Sequence, residues 1–162
     1  MQSQKKASKR RFSVRDSLIH GRGVYASTAL KAGERLLEYR GERITSAQAV
    51  ERYGDNSSSG ETYLFSPNEA FLIDGTRDGN SARFINHSCA PNCEALIFVD
   101  INGDERRDKV WLLALRDIAA GEELSFDYAL EMQSAAHAAA AQPWTCRCGA
   151  KACRGTMLFG VA

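Results

Sequence analysis

The sequence lacks the features that would place it in a membrane or in a secretory pathway. No apolar run approaches the roughly 20 residues that a helix needs to span a bilayer. Residues 1–11 are polar and basic, without the apolar segment of a secretory signal. The formal net charge of +1 argues against a protein that binds polyanions over its whole surface, and no repeat period is visible. These absences predict an intracellular protein with no membrane partner.

What is present is typical of a globular domain. The length of 162 residues favours a single domain that is large enough for a hydrophobic core. A hydrophobic content of 44% and a charged content of 25% are ordinary for such a domain. The five cysteines are expected to stay reduced in an intracellular protein, so metal binding is a better expectation for them than disulfides.

Short apolar segments separated by turns, about every 8–12 residues, predict a mostly β fold. One helix is expected after Thr45, because Thr45 and Gln48 have the spacing of a capping box, and it should end near Tyr53. Residues 54–60 predict a flexible loop, and the mixed charges of residues 101–108 predict a solvated hairpin tip. The predicted strands are residues 12–14, 36–39, 62–65, 70–74, 94–100, 109–115 and 124–128.

The central stretch, residues 82–93, is unusually polar for its place between apolar segments. It mixes Phe84 and Ile85 with Asn86, His87 and two cysteines. Such a stretch must either face solvent or have its polar groups paired inside a site.

Upstream, Gly21 and Gly23 flank a single residue and form a bendable loop whose backbone can approach a ligand closely. This signal is weak, because the third glycine of a dinucleotide fingerprint is missing. A tight turn between two strands explains the pair about as well.

Three cysteines lie close together near the C-terminus; we call Cys146, Cys148 and Cys153 the tail cysteines. Three thiolates in this pattern fit one side of a tetrahedral zinc site, which needs a fourth ligand. Cys89, Cys93 or His87 could provide it and would join the tail to the central stretch. The alternative is three unliganded surface thiols.

Four blocks in order along the chain resemble the SET-domain protein lysine methyltransferases. Residues 20–25 (HGRGVY) are similar to the cofactor loop of that family, residues 83–92 (RFINHSCAPN) to its signature motif and residues 121–128 (GEELSFDY) to its catalytic motif. The tail cysteines are similar to its post-SET zinc module. The resemblance covers roughly residues 17–157, and it is closest to the trithorax-like branch.

The resemblance implies a SET fold of several small curved sheets with a C-terminal pseudoknot, few short helices and a zinc-bound post-SET tail. It divides the chain into a basic flexible tail (1–11), a SET domain (12–130), an alanine-rich linker (131–142) that is helical or partly ordered, and a post-SET zinc module (143–162). The basic tail is expected to be a solvated end or a weak contact for nucleic acid.

The resemblance also implies two cofactors, S-adenosylmethionine and one structural zinc ion. By the family's pattern, Cys89 joins the tail cysteines as the fourth zinc ligand, and Cys93 is left as a small buried apolar residue. The residues assigned to S-adenosylmethionine are His20, Arg22, Gly23, Tyr25, Tyr63, Arg83, Asn86, His87 and Arg147.

Three aromatic residues carry the implied catalysis. Tyr128 orients the methyl group or the lysine amine, Tyr63 lines the lysine channel, and Phe126 occupies a position where tyrosine favours monomethylation. Phe126 therefore predicts di- or trimethylation. A nearby sulfonium and an apolar channel both lower the pKa of the substrate lysine, so no strong dedicated base is needed. Plain aromatic packing is the alternative role for Tyr63 and Tyr128.

The implied substrate is a lysine in a histone or another basic chromatin-associated protein, although a non-histone target is equally compatible with so short a protein. An activating protein partner is expected, and the hairpin at residues 100–108 is a candidate surface for it. Nucleic acid would bind only weakly, through the basic tail. The expected location is the nucleus or chromatin in a eukaryote, the cytoplasm or nucleoid in a prokaryote, or a host cell if the protein is an effector. The rival interpretation is a catalytically silent, zinc-stapled module that binds basic peptides.

Overall fold

The computed structural model describes residues 10–54, 63–131 and 144–159. Most of the predicted basic tail, the 54–60 loop and the alanine-rich linker lie outside these ranges. Within them the chain forms ten strands, one α-helix and two short 3₁₀ turns, at Ser81–Phe84 and Glu105–Arg107. The elements are β1 (Phe12–Asp16), β2 (Arg22–Ala26), β3 (Arg35–Tyr39), β4 (Glu42–Ile44), α1 (Ser46–Tyr53), β5 (Leu64–Phe65), β6 (Leu72–Asp74), β7 (Asn86–His87), β8 (Cys93–Phe98), β9 (Lys109–Ala114) and β10 (Ser125–Phe126).

The strands form four small sheets, as expected for a mostly β fold of this type. Two of them have three strands, in the orders β3-β9-β8 and β4-β6-β5, and the hairpin β1-β2 is the third. The fourth pairs β7 with β10 in parallel, so that Asn86 lies opposite Ser125 and His87 opposite Phe126. This pairing brings the central stretch against the C-terminal motif, as the implied pseudoknot requires.

The core lies between these sheets. On β9, the alternate residues Val110, Leu112 and Ala114 are almost fully buried, because successive side chains of a strand point to opposite faces. The other almost fully buried aliphatic side chains of this core include Val24, Leu30, Ile73, Ile85, Ile118 and Leu124.

The helix α1 begins and ends where the sequence predicts. The Thr45 side chain accepts a hydrogen bond from the Gln48 backbone N–H, and the Gln48 side chain accepts one from the Thr45 N–H at 2.8 Å. At the other end, the Tyr53 hydroxyl donates to the fully buried Asp74 carboxylate at 2.6 Å, which fixes the helix to β6. Among the described residues, no helix has the length and apolar character to cross a membrane.

Two of the predicted turns have the expected form. The chain reverses between the antiparallel strands β1 and β2, where Gly21 adopts a φ of +45°, whereas Gly23 already lies on β2. The tight-turn explanation therefore holds for Gly21 and not for Gly23. Residues 101–107 are exposed, which confirms the solvated hairpin tip, although Asp108 at its base is buried and accepts a bond from the Asp100 N–H at 2.8 Å.

The predicted strand over residues 124–128 is too long. The structure forms only Ser125–Phe126 as β10. The chain leaves the strand afterwards because the Tyr128 backbone N–H donates to the ring nitrogen Nδ1 of His87 at 3.1 Å instead of extending a ladder. A side chain from the neighbouring strand therefore decides where β10 ends.

Candidate functional site

A cleft of about 930 Å³ runs between α1 and the segment that follows β10. Its aromatic lining consists of Tyr39, Phe65, Phe126 and Tyr128. The helix contributes Ser46, Ala49 and Val50, and two acidic side chains, Glu69 and Glu131, also line the cleft. The cleft is thus an aromatic site with acidic groups around it.

Hydrogen bonds hold Tyr128 at its backbone N–H and at its side-chain hydroxyl. Its backbone N–H bonds to His87, and its hydroxyl donates to the Ile85 carbonyl at 2.7 Å. Burial raises the pKa of Tyr128 well above its usual range, so the phenol stays neutral at physiological pH. The donated proton leaves the oxygen lone pairs of the hydroxyl available as acceptors.

Phe126 is buried and packs against Tyr128 with 4.8 Å between ring centroids. The ring centroid of Phe65 lies 6.2 Å from that of Phe126. Phe126 and Tyr128 are therefore in contact, although β10 ends before Tyr128.

Arg83 also lines the cleft, whereas Tyr63, which was predicted to line the lysine channel, does not line the described part of the cleft. The Arg83 guanidinium donates to the Gly75 carbonyl at 2.8 Å and stands 5.9 Å from the Tyr63 ring centroid. Its Nε atom is buried and has no hydrogen-bond partner among the described residues. An orphaned buried donor of this kind fits a ligand that brings an acceptor.

Arg22 connects this region to the cofactor loop that the sequence predicts. The guanidinium groups of Arg22 and Arg83 both stack on the Phe84 ring, at 4.8 and 4.7 Å from its centroid. These are cation–π contacts, and they place the start of β2 beside the central stretch.

Asn86 binds the backbone of the loop at residues 20–25. Its side-chain Nδ2 lies at 3.2 Å from the His20 carbonyl and at 3.0 Å from the Arg22 carbonyl. The same nitrogen is 3.0 Å from the Ser17 hydroxyl and 2.9 Å from Oε1 of Glu123. His20 thus bonds to Asn86 through its backbone carbonyl, and the residue as a whole is exposed.

Glu123 is a residue of this site that the sequence analysis missed. Its Oε1 accepts from the Ser17 hydroxyl at 2.7 Å, and its Oε2 accepts from the Tyr25 hydroxyl at 2.9 Å. Glu123 lies inside the motif at residues 121–128, but nothing in the sequence indicated its hydrogen-bond partners.

The His87 ring uses both of its nitrogens within the protein. Nδ1 accepts from Tyr128, so the proton lies on Nε2, which faces the sulfur of Cys89 at 3.4 Å. Burial lowers the pKa of His87, against the influence of Asp127, which favours the charged form. The neutral ring thereby links the cleft to the cysteine cluster.

The sulfurs of Cys89 and of the three tail cysteines all lie within 4.8 Å of one another. Cys89 is 3.7 Å from Cys146 and 3.9 Å from Cys153, sulfur to sulfur. A tetrahedral ion with bonds of about 2.3 Å to four sulfurs requires sulfur–sulfur distances of about 3.8 Å. The donor set and its spacing fit a zinc ion.

Cys93 lies outside this cluster. It is fully buried, and burial raises the pKa of its thiol to about 12, as expected for an inert core residue. A second connection to the tail comes from Arg154, whose guanidinium bonds both carboxylate oxygens of Asp127 at 2.7 and 2.9 Å. Arg147, in contrast, is exposed and does not line the described part of the cleft.

Comparisons with known proteins agree with this architecture. The profile of the SET domain matches residues 21–129, more than half of the chain. The chain is 41% identical to histone-lysine N-methyltransferase trithorax of Drosophila melanogaster over 140 residues, which is 85% of this chain and 3% of the relative. It is 38% identical to human histone-lysine N-methyltransferase 2B over 152 residues, 93% of this chain and 5% of the relative.

A yeast relative gives the same result. The chain is 41% identical over 141 residues to a Saccharomyces cerevisiae protein named histone-lysine N-methyltransferase, H3 lysine-4 specific, covering 86% of this chain and 12% of the relative. The chain therefore spans only a small part of the length of the relatives it matches. The match to the domain profile and these identities show that the chain belongs to the SET-domain family, in agreement with the trithorax-like resemblance of its motifs.

Proposed function

We propose that this chain is an S-adenosylmethionine-dependent protein-lysine N-methyltransferase. The observation that carries the proposal is the fixed, neutral hydroxyl of Tyr128 in an aromatic cleft, held by the Ile85 carbonyl at 2.7 Å. The relatives described above are named as histone-lysine N-methyltransferases, which supports the reaction class.

S-adenosylmethionine, when bound, supplies an electrophilic methyl group on a positively charged sulfur. Arg83 and Asn86 would hold it, because the buried Nε of Arg83 lacks an acceptor among the described residues and Asn86 faces the loop at residues 20–25. His87, whose ring is occupied, would contribute its backbone. The other residues that we assign to this ligand are His20, Arg22, Gly23, Tyr25, Tyr63 and Arg147.

The four-sulfur cluster would hold one structural zinc ion. Its sulfur–sulfur distances of 3.7 and 3.9 Å support this assignment. Because Cys89 lies in the central stretch and the other three ligands in the tail, the ion would fix the tail beside the site. Arg147, between two of those ligands in the sequence, would be fixed together with them.

The residues of the cleft have distinct tasks in lysine methylation. The Tyr128 oxygen accepts a hydrogen bond from the lysine nitrogen and thereby orients it, while the rings of Phe65 and Phe126 exclude water. The substrate lysine must lose a proton before it can act as a nucleophile, and an apolar aromatic channel favours the neutral amine. Tyr128 is itself too weak an acid to exist as a phenolate base at neutral pH, so the proton leaves to water. Phe126 places no hydroxyl beside the amine, which supports di- or trimethylation.

The substrate that we propose is a lysine-containing basic segment of a histone or a similar chromatin protein, and the expected location is therefore chromatin. The acidic Glu69 and Glu131 in the cleft complement such a segment. An activating partner would bind the hairpin at residues 100–108, in which Ile101 is 96% exposed, and the preceding Val99, which is 76% exposed.

Transfer of a labelled methyl group from S-adenosylmethionine to core histones tests the proposal. Wild type should transfer label, and Tyr128→Phe should lose most of it, about 100-fold or more, the effect typical of removing one oriented catalytic group. Tyr53→Phe is a matched control, because it also removes a bonded tyrosine hydroxyl but lies at the end of α1. If wild type neither transfers label nor binds S-adenosylmethionine by calorimetry, the silent peptide-binding module replaces the proposal.

A further inference from the structure

We infer that Glu123 is a positioning residue that holds the cofactor loop and Asn86 in their binding geometry. It joins Ser17, Tyr25 and Asn86, and we call these four residues the Glu123 clamp. The inference rests on the proposed function, because the loop at residues 20–25 is assigned there to S-adenosylmethionine.

The clamp connects three separate parts of the chain through one carboxylate. Ser17 lies in the turn before β2, Tyr25 lies on β2 and Asn86 begins β7. The carboxylate accepts from their side chains at 2.7, 2.9 and 2.9 Å. Because the acceptor is a carboxylate, these bonds are charge-assisted and individually stronger than bonds between neutral groups.

Gly23 shows how closely the carboxylate and the loop approach each other. A Cβ atom on Gly23 would lie 2.2 Å from Oε1 of Glu123 and 2.7 Å from its Cδ. Gly23 does not have a positive φ, unlike Gly21. The absence of a side chain at Gly23 is therefore explained by the space that Glu123 occupies, and not by backbone conformation.

The clamp also sets the orientation of the Asn86 amide. Nδ2 lies within bonding distance of two backbone carbonyls, those of His20 and Arg22, as well as of Oε1 of Glu123. These acceptors all require the NH₂ group on this side, so the amide oxygen points away from them. Loss of the carboxylate would remove one of the forces that fix this orientation, and the loop would lose its anchor to β7.

Glu123→Gln tests the inference without a large change in size. The variant replaces one carboxylate oxygen by an NH₂ group that cannot accept, so at least one of the bonds that Ser17, Tyr25 and Asn86 donate to Glu123 is lost. Binding of S-adenosylhomocysteine, measured by calorimetry, should weaken about tenfold or more, the effect of losing one charge-assisted bond. In the methyltransfer assay, KM for S-adenosylmethionine should rise while kcat at saturating cofactor changes little.

Glu122→Gln is the matched control. Glu122 accepts bonds from Arg116 at 2.6 Å and from Asn92 at 3.0 Å, so its loss also costs stability, but it does not touch the loop. The affinity of the Glu122→Gln variant for S-adenosylhomocysteine should stay within about twofold of wild type, since no bond to the binding site is lost. Equal weakening by both substitutions would show a merely structural role for Glu123 and overturn the inference.

Two further variants keep the test decisive. Ser17→Ala removes one donor and no charge, and should weaken binding about threefold even if Glu123→Gln fails to fold. Gly23→Ala should weaken binding strongly in wild type but add little in Glu123→Ala, because the colliding carboxylate is then gone. If wild type does not bind S-adenosylhomocysteine, the proposed function fails; if wild type, Glu123→Gln and Ser17→Ala bind it equally, only the inference fails.

Discussion

Removing the Cys89 thiol should release the zinc ion that we propose for the four-sulfur cluster. Cys89 is the one member of the sulfur cluster that lies in the central stretch, at 3.7 Å from Cys146 and 3.9 Å from Cys153. Structural zinc binding with four ligands is worth about 10–16 kcal/mol, so one ligand accounts for roughly 3–4 kcal/mol. Cys89→Ser is therefore expected to weaken zinc binding by about 100- to 1,000-fold.

Cys93→Ser is the control, since it changes the other cysteine of the same stretch. The Cys93 sulfur is fully buried and lies 3.4 Å from the Asn92 side-chain oxygen. A serine hydroxyl can donate to that oxygen, so the substitution should cost only about 1–2 kcal/mol of stability. This corresponds to a fall of roughly 2–8 °C in Tm for a domain of this size, with zinc retained.

The assay is zinc content per chain after dialysis, together with competition against a chromophoric chelator. Wild type and Cys93→Ser should carry close to one zinc ion, and Cys89→Ser should lose it at the lowest chelator concentration. Thermal melting with and without chelator gives a second readout, because only proteins that hold the ion should be destabilised by its removal. Zinc loss in Cys93→Ser with retention in Cys89→Ser would refute the ligand assignment.

Two more predictions concern the cleft and the helix beside it. Phe126→Tyr should shift the product on a histone substrate towards monomethyl-lysine in mass spectrometry; a wild type that makes only monomethyl product contradicts the role of Phe126. Burial alone would raise the pKa of Asp74, but hydrogen bonds from Thr76 and Tyr53 outweigh it and lower the pKa. The stability from Asp74 is therefore complete above its unfolded pKa of about 3.9 and is lost as pH falls through the lower folded value. Asp74→Asn should cost about 1–3 kcal/mol at pH 7 and show a shallower fall of Tm below pH 4 than wild type; parallel profiles would contradict this.

Local features of the fold could be predicted from the sequence because they depend on neighbouring residues. The capping box that starts α1 involves Thr45 and Gln48, three positions apart, and the structure contains both of its hydrogen bonds. The turn at Gly21 and the solvated hairpin tip are of the same kind. The metal-binding pattern of the tail was equally visible, because its cysteines lie within eight residues of one another.

The candidate site could be predicted only in part. Its motifs identified Tyr128, Phe126 and the cofactor loop through a resemblance, and the structure brings the first two together in one cleft. The end of β10 was predicted too late, because His87 on another strand takes the Tyr128 N–H. Glu123 was missed for a similar reason, since its partner Ser17 is 106 positions away in the sequence.

Patterns along the chain were enough to predict the class of fold, the helix α1 and the family, because each depends on motifs whose residues lie close together in the sequence. The residues alone left the choice between Cys89 and Cys93 open, the family resemblance selected Cys89, and the structure places Cys89 beside the tail cysteines. The use of both His87 nitrogens, and the filling of the space beside Gly23 by Glu123, came from the tertiary structure alone. Each of these depends on which distant segments are neighbours in space. The parallel pairing of β7 with β10 sets those neighbours, and the spacing of residues along the chain does not encode it.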